Sequence, residues 1–146
     1  MNPKDLTLYV ITDRTWLDGA PLEDAVRAAI EGGATIVQIR EKHVTTEEYI
    51  ARAKPIQAVC QAYGVPLIIN DSLDVAKALG AGVHLGASDG DIAEARRVLG
   101  PDAIVGATAK TIEQAQAAER AGANYLGSGA VFGSTTKTDA KPMPIE

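Results

Sequence analysis

Gln38, Arg40 and Lys42 stand at alternate positions at the end of the apolar run Ile36-Val37-Gln38-Ile39. Successive side chains of an extended chain point to opposite faces, so these three share one side while Ile39 and Glu41 take the other. Two cations directed together into a protein interior are costly without a counter-charge. That side therefore calls for an anion, with a solvated strand end as the plainer alternative. Asn70-Asp71 and Asp89 follow two further apolar runs. Two carboxylates beside an amide suit Mg²⁺, which takes one or two protein carboxylates together with phosphate oxygens. Each aspartate is equally suited to cap the helix after it, as is Asp91. Gly127-Ser128-Gly129 and the stretch Gly133-Ser134-Thr135-Thr136-Lys137-Thr138 crowd glycines, hydroxyls and one lysine together. Glycines let backbone approach a phosphate and hydroxyls donate to it. The Walker A spacing is absent, and a flexible loop is the plainer alternative.

These residues need elements to position them. Leu8-Tyr9-Val10-Ile11 is β-rich and ends at Thr12-Asp13. Pro21 opens a helix with an apolar stripe at Leu22, Val26, Ala29 and Ile30, stopped by Gly32-Gly33. Thr45 and Glu48 form a capping box for a second helix, in which Pro55 predicts a kink or a break. Val65 to Ile69 is a third strand, and Ser72 caps a short helix through Leu79. Val83-His84-Leu85 and Ala103-Ile104-Val105 are the fourth and fifth strands, separated by a helix through Ile92, Ala95 and Val98. Thr111 and Gln114 make another capping box before a helix with Ala115, Ala118 and Ala121, and Tyr125-Leu126-Gly127 begins a sixth strand. Gly33-Ala34, Gly80-Ala81 and Gly122-Ala123 each lead from a helix stop into a strand. That is the rhythm of repeated βα steps in a parallel sheet. Periodicity alone leaves an open doubly wound sheet and a closed barrel both standing. In either, the polar residues fall at the C-terminal ends of the strands, where parallel sheets build their sites.

The chain has 146 residues, a net charge of −5, 46% hydrophobic residues and 4% aromatics, which fits one domain with helices packed closely on a sheet. Its charge argues against a bulk electrostatic grip on nucleic acid or an anionic membrane. The lone Cys60 rules out an intrachain disulfide and falls on the apolar side of a predicted helix, as a core thiol. His84, inside a strand, reads as a hydrogen-bonded core or supporting residue. Trp16 has two places open to it, over the site or over the first helix. No apolar run approaches the roughly 20 residues that span a bilayer. Met1-Asn2-Pro3-Lys4-Asp5 has no signal-peptide pattern, so the expected location is cytoplasmic.

Taken together, Leu8 to Asp13, Val37 to Lys42, Ile69-Asn70-Asp71, Val83 to Gly86 with Asp89, Ile104 to Thr108, and Gly127 to Lys137 resemble thiamine-phosphate synthase, in the family's order along the whole chain. The resemblance implies an α/β fold of the TIM (β/α)8 type, incomplete here with about six of eight strands. Residues 1–146 would be a single domain, the N-terminal three-quarters of such a barrel, in a C-terminally truncated chain. It implies a transferase of thiamine biosynthesis that joins hydroxymethylpyrimidine diphosphate to thiazole phosphate, releasing pyrophosphate and giving thiamine phosphate, with Mg²⁺ as cofactor. By the same resemblance Gln38 and Asn70 touch the pyrimidine or its diphosphate, and Arg40, Lys42 and Lys137 hold the diphosphate as catalytic cations. Asp71 and Asp89 hold Mg²⁺, Ser134 and Thr136 donate to the thiazole phosphate, and Thr108 donates to pyrophosphate. Ala87 departs from the pattern, standing where the family usually carries glutamine. The partners implied are these two small molecules, with no nucleic acid and no membrane; a homo-oligomer is compatible with all of this. An inactive barrel fragment or ligand-binding module stays open as an alternative. So does a thiazole tautomerase, whose resemblance centres on a histidine where this chain has Lys110.

Overall fold

The protein is described by a computed structural model over residues 1–87, 90–133 and 143. Among these, six strands alternate with five α-helices: β1 (Tyr9–Ile11), α1 (Leu22–Glu31), β2 (Ile36–Ile39), α2 (Thr46–Tyr63), β3 (Leu67–Asn70), α3 (Leu73–Leu79), β4 (Gly82–Leu85), α4 (Ile92–Leu99), β5 (Val105–Thr108), α5 (Ile112–Ala121) and β6 (Tyr125–Gly127). All neighbouring pairs are parallel and the order runs β1-β2-β3-β4-β5-β6. A doubly wound sheet reverses its strand order at a switch point. Here the order never reverses, which is the winding of a barrel, and the sheet curls until side chains from β1 and β6 meet. Successive helices pack side by side on the convex face.

The two faces follow from the period of two. Val37, Ile39, Leu67, Ile69, Val83, Leu85 and Val105 point outward into a core with Leu22, Val26 and Ile30 of α1, Ala53, Ile56, Val59 and Cys60 of α2, and Val75 and Ala76 of α3. Burial of Cys60 pushes its thiol up to about 11, the behaviour of a core residue. The intervening residues face the concave side, where Ile36 and Ile68 are fully buried at the base and polar residues lie above them.

Local chemistry sets the boundaries. Thr45 and Glu48 close the expected reciprocal capping box. Asp91 caps α4, accepting from Ala93 and Glu94 N–H. Five expectations shift. Pro55 does not break α2, which runs from Thr46 to Tyr63; one missing N–H is outweighed by the buried stripe of Tyr49, Ala53, Ile56, Val59 and Cys60 around it. Pro21 caps α1 from outside its first turn, with extended backbone. Strand β5 starts at Val105 rather than Ala103, because the Arg96 guanidinium gathers the carbonyls of Gly100 and Ala103 into a loop at 3.0 and 2.6 Å. At Thr111 only half the capping box forms: its hydroxyl accepts from Gln114 N–H, but the Gln114 amide accepts from Lys110 N–H instead. Trp16 covers neither the site nor α1 and is 79% exposed.

Candidate active site

The concave side of the sheet holds a cavity of about 580 Å³, lined by residues that include Tyr9, Thr12, Asp13, Gln38, Arg40, Asn70, His84 and Tyr125. Gln38 and Arg40 both line it, two residues apart at the end of β2, as alternation requires. Glu41 takes the opposite side, where it is buried and grips Arg14 at 2.6 Å and Arg52 at 3.2 Å. This clamp fixes the backbone that carries Arg40. A second fastener comes from α2. The Tyr49 hydroxyl lies 2.7 Å from the Ile39 carbonyl and 3.0 Å from the Asn70 carbonyl, and accepts the Asn70 N–H at 3.1 Å. One buried phenol thus ties the ends of β2 and β3 together. Burial first, with the Asp71 and Glu41 charges, raises its ionisation well above the ordinary tyrosine range, against backbone hydrogen bonds at Asn70 and Glu41 that pull it down.

At the rim, Thr12 accepts the Arg40 N–H at 3.1 Å. Asp13 caps a short 3₁₀ helix, Arg14–Trp16, and faces Arg40. Hydrogen bonds from Thr15 first, and the Arg40 charge after them, hold its carboxyl below the usual range. Asp71 sits in the left-handed region at φ 67°, a conformation that aspartate tolerates better than most residues. Its carboxylate pairs with Lys42, and its N–H donates to the His84 carbonyl at 2.9 Å. Lys42 and Asp71 line a separate hollow of about 200 Å³ beside the central cavity, with Asn70 on both borders. The three residues at positions 38, 40 and 42 therefore divide: two face the centre, and Lys42 swings to Asp71. Thr108 ends β5, and its hydroxyl is 3.0 Å from His84 Nε2. Asp89, Ser134, Thr136 and Lys137 lie outside the described residues.

The cavity floor was not evident from sequence. The Gln38 amide donates to the Tyr9 hydroxyl at 2.7 Å, and that hydroxyl is 2.5 Å from the Tyr125 hydroxyl. Tyr125 in turn is 3.0 Å from His84 Nδ1, and the His84 and Tyr125 rings stack with centroids 5.6 Å apart. His84, Gly106 and Tyr125 are successive register partners across β4, β5 and β6. The outer two strands of such a trio are roughly 10 Å apart, so their rings meet only over a residue without a side chain. A Cβ on Gly106 would overlap the Tyr125 ring. The glycine in Val105-Gly106-Ala107 was the available signal, together with tyrosines at inward positions of two edge strands.

The sequence model of the family described as thiamine monophosphate synthase matches residues 8–146. The chain belongs to that family. It is 46% identical over 143 residues to the thiamine-phosphate synthase of Caldanaerobacter subterraneus subsp. tengcongensis, covering 97% of this chain and 67% of the relative. It is likewise 46% identical to that of Ruminiclostridium cellulolyticum, covering 97% and 68%. The thiamine phosphate pyrophosphorylase structure from Pyrococcus furiosus superposes with a TM-score of 0.78 at 41% identity, over 88% of this chain and 62% of that one. The chain thus spans about two thirds of the length of the relatives it matches. The α/β barrel-type fold and the enzyme class read from sequence, a transferase of thiamine biosynthesis, are those of this thiamine monophosphate synthase family. No helix among the described residues is long and apolar enough to cross a membrane.

Proposed function

We propose that this chain builds the pyrimidine-diphosphate side of a thiamine-phosphate synthase site, in the N-terminal part of a barrel. The observation that carries the reading is the convergence of Gln38, Arg40 and Asn70 on one concave cavity at the strand ends, in a member of this family. Gln38 and Asn70 supply amides for the pyrimidine and the oxygens beside it. Arg40 supplies a guanidinium, whose planar fork suits phosphate oxygens. Lys42 and Asp71 hold one another next door, and in this reading they exchange partners when substrate arrives: Lys42 turns to the diphosphate, freeing the Asp71 carboxylate. An exposed-rim carboxylate next to phosphate oxygens is the hard-oxygen donor set that Mg²⁺ prefers, with Asp89 as the second protein donor. The ion would add positive charge to the leaving group. Lys137 adds a third cation, Thr108 donates to the pyrophosphate, and Ser134 and Thr136 donate to thiazole phosphate.

The reaction then follows from charge. The C–O bond between the pyrimidine methylene and the diphosphate breaks, the electron pair leaves with pyrophosphate, and the electron-rich pyrimidine carries the resulting cation. The thiazole nitrogen lone pair forms the new C–N bond. Arg40, Lys42 and Lys137 act where negative charge grows, which is where fixed charges lower a barrier most. No nucleophilic side chain takes part. Both substrates are small soluble molecules, in keeping with a cytoplasmic setting.

The test is calorimetric titration of the 146-residue chain with hydroxymethylpyrimidine diphosphate and Mg²⁺, followed by assay of thiamine phosphate formation with thiazole phosphate added. Binding is expected. Arg40→Ala should lower binding or turnover about a hundredfold, roughly 3 kcal/mol. Absence of binding by the parent chain would sink the reading, and binding without turnover would make the chain a ligand-binding module.

A further inference from the structure

The residues Gln38, Tyr9, Tyr125, His84 and Thr108 form an unbroken hydrogen-bonded line across the concave side, linking five strands. Its polarity can be worked out. The Gln38 amide N–H donates to Tyr9, so one lone pair of that hydroxyl is occupied. If Tyr9 then donates to Tyr125, Tyr125 donates to His84 Nδ1, and His84 carries its proton on Nε2 and donates to Thr108. Every proton on the line has an acceptor, and the Thr108 hydroxyl proton is left to point onward. In the opposite sense Tyr9 would accept from both Gln38 and Tyr125, and its own proton would need a further acceptor in a half-buried site. Among the described residues, Tyr125 and Gln38 are the hydrogen-bond partners of the Tyr9 hydroxyl, and no further acceptor stands beside it. A buried donor without a partner costs roughly 1–3 kcal/mol, which favours the first sense. Burial keeps both phenols protonated by raising their ionisation above the ordinary tyrosine range.

We propose that Tyr9, Tyr125 and His84 are positioning residues: a one-way hydrogen-bond line that orients the Gln38 amide at one end and aims the Thr108 hydroxyl proton at the other. The proposal rests on the pyrimidine-diphosphate reading above and deepens it. An amide held by one N–H keeps its carbonyl oxygen and its second N–H facing the cavity, an acceptor beside a donor. That pair matches the amino group and adjacent ring nitrogen of an aminopyrimidine, just as an amide reads the edge of adenine. At the far end, a threonine that accepts from His84 keeps its proton free to donate onward, and an anion such as the departing pyrophosphate is the strongest acceptor for it. The line therefore favours a ligand with an aminopyrimidine at one end and a phosphate at the other over either part alone. Gly106 and Gly127 leave room for it: a Cβ at Gly106 would overlap the Tyr125 ring, and one at Gly127 would stand 3.3 Å from His84 Cε1.

The test uses ¹⁵N-histidine-labelled chain, ligand-free, at about pH 8, above the ordinary histidine range. The sequence has two histidines, His43 and His84, so His84→Gln assigns the spectrum. The expected result is a neutral His84 protonated on Nε2. Tyr125→Phe, which removes the donor to Nδ1, should turn this into a mixture of tautomers. Tyr9→Phe should leave the tautomer alone, because Tyr125 still donates. Both variants should weaken titrated hydroxymethylpyrimidine diphosphate about tenfold, while inorganic pyrophosphate should weaken only with Tyr125→Phe. A purely structural role would move stability but neither the tautomer nor this split between ligands. Nδ1 protonation in the parent chain overturns the proposal, as does an unchanged tautomer in Tyr125→Phe. Should Tyr125→Phe not fold, the parent tautomer and the Tyr9→Phe ligand split still decide it. If the parent chain binds no pyrimidine diphosphate, the functional reading fails, whereas the spectrum still reports whether the line exists.

Discussion

Strands β2 and β3 are buried along their whole length, whereas β1 and β6, three residues each, contain no fully buried residue. The two regions are held by different forces. In the middle, Val37, Ile39, Leu67 and Ile69 sink into the helix layer, and Tyr49 and Glu41 add polar fasteners at the strand ends. At the margins burial is thin: Ile11, which lines the concave cavity, is 51% exposed, and Leu126 is 41% exposed. What joins β1 and β6 is the meeting of Tyr9 and Tyr125 across the concave side, with ring centroids 5.5 Å apart. Apolar packing makes the scaffold, and a polar line stitches its margins over the candidate site.

Substitutions can break or sharpen this contrast. Ile69→Ala, in the fully buried centre, should cost about 2–5 kcal/mol in urea unfolding. Gly106→Val strikes between the regions, driving a side chain into the space of the Tyr125 ring. Its expected cost is about 1–3 kcal/mol, with loss of the His84–Tyr125 stacking visible in aromatic proton shifts. Ile11→Ala should shift stability by no more than about 0.5 kcal/mol, as at other exposed positions. An Ile11→Ala cost equal to that of Ile69→Ala would erase the distinction.

Much of the scaffold was legible because local rules and tertiary packing agree on it. The alternation at Gln38, Arg40 and Glu41, the Thr45–Glu48 box and the helix-stop glycines each carry their own signature, and each appears where it should. The winding of six βα steps into a barrel was not legible from periodicity, since strand order is a long-range property; it came from the resemblance carried by the strand-end motifs. Nor was the fate of Lys42: alternation places its Cα, but a long side chain follows the nearest carboxylate, Asp71. Tyr49 belongs to the buried stripe of α2, yet its hydroxyl works at the ends of two strands. The inner line was the least visible, since its members come from five strands and depend on an empty position, Gly106, to meet at all.

The uninterrupted strand order also bears on how the chain assembles. Each strand finds its partner in the segment made just before it, so the sheet can grow one βα step at a time behind the ribosome, closing only short loops. The Tyr9–Tyr125 contact is different, joining residues 116 apart in sequence. Such a closure is entropically the slowest to arrange and gains least until its neighbours are in place. The site would then be completed last, after a scaffold that already stands without it, and chain ordering at the concave face should lag behind helix formation in a refolding experiment.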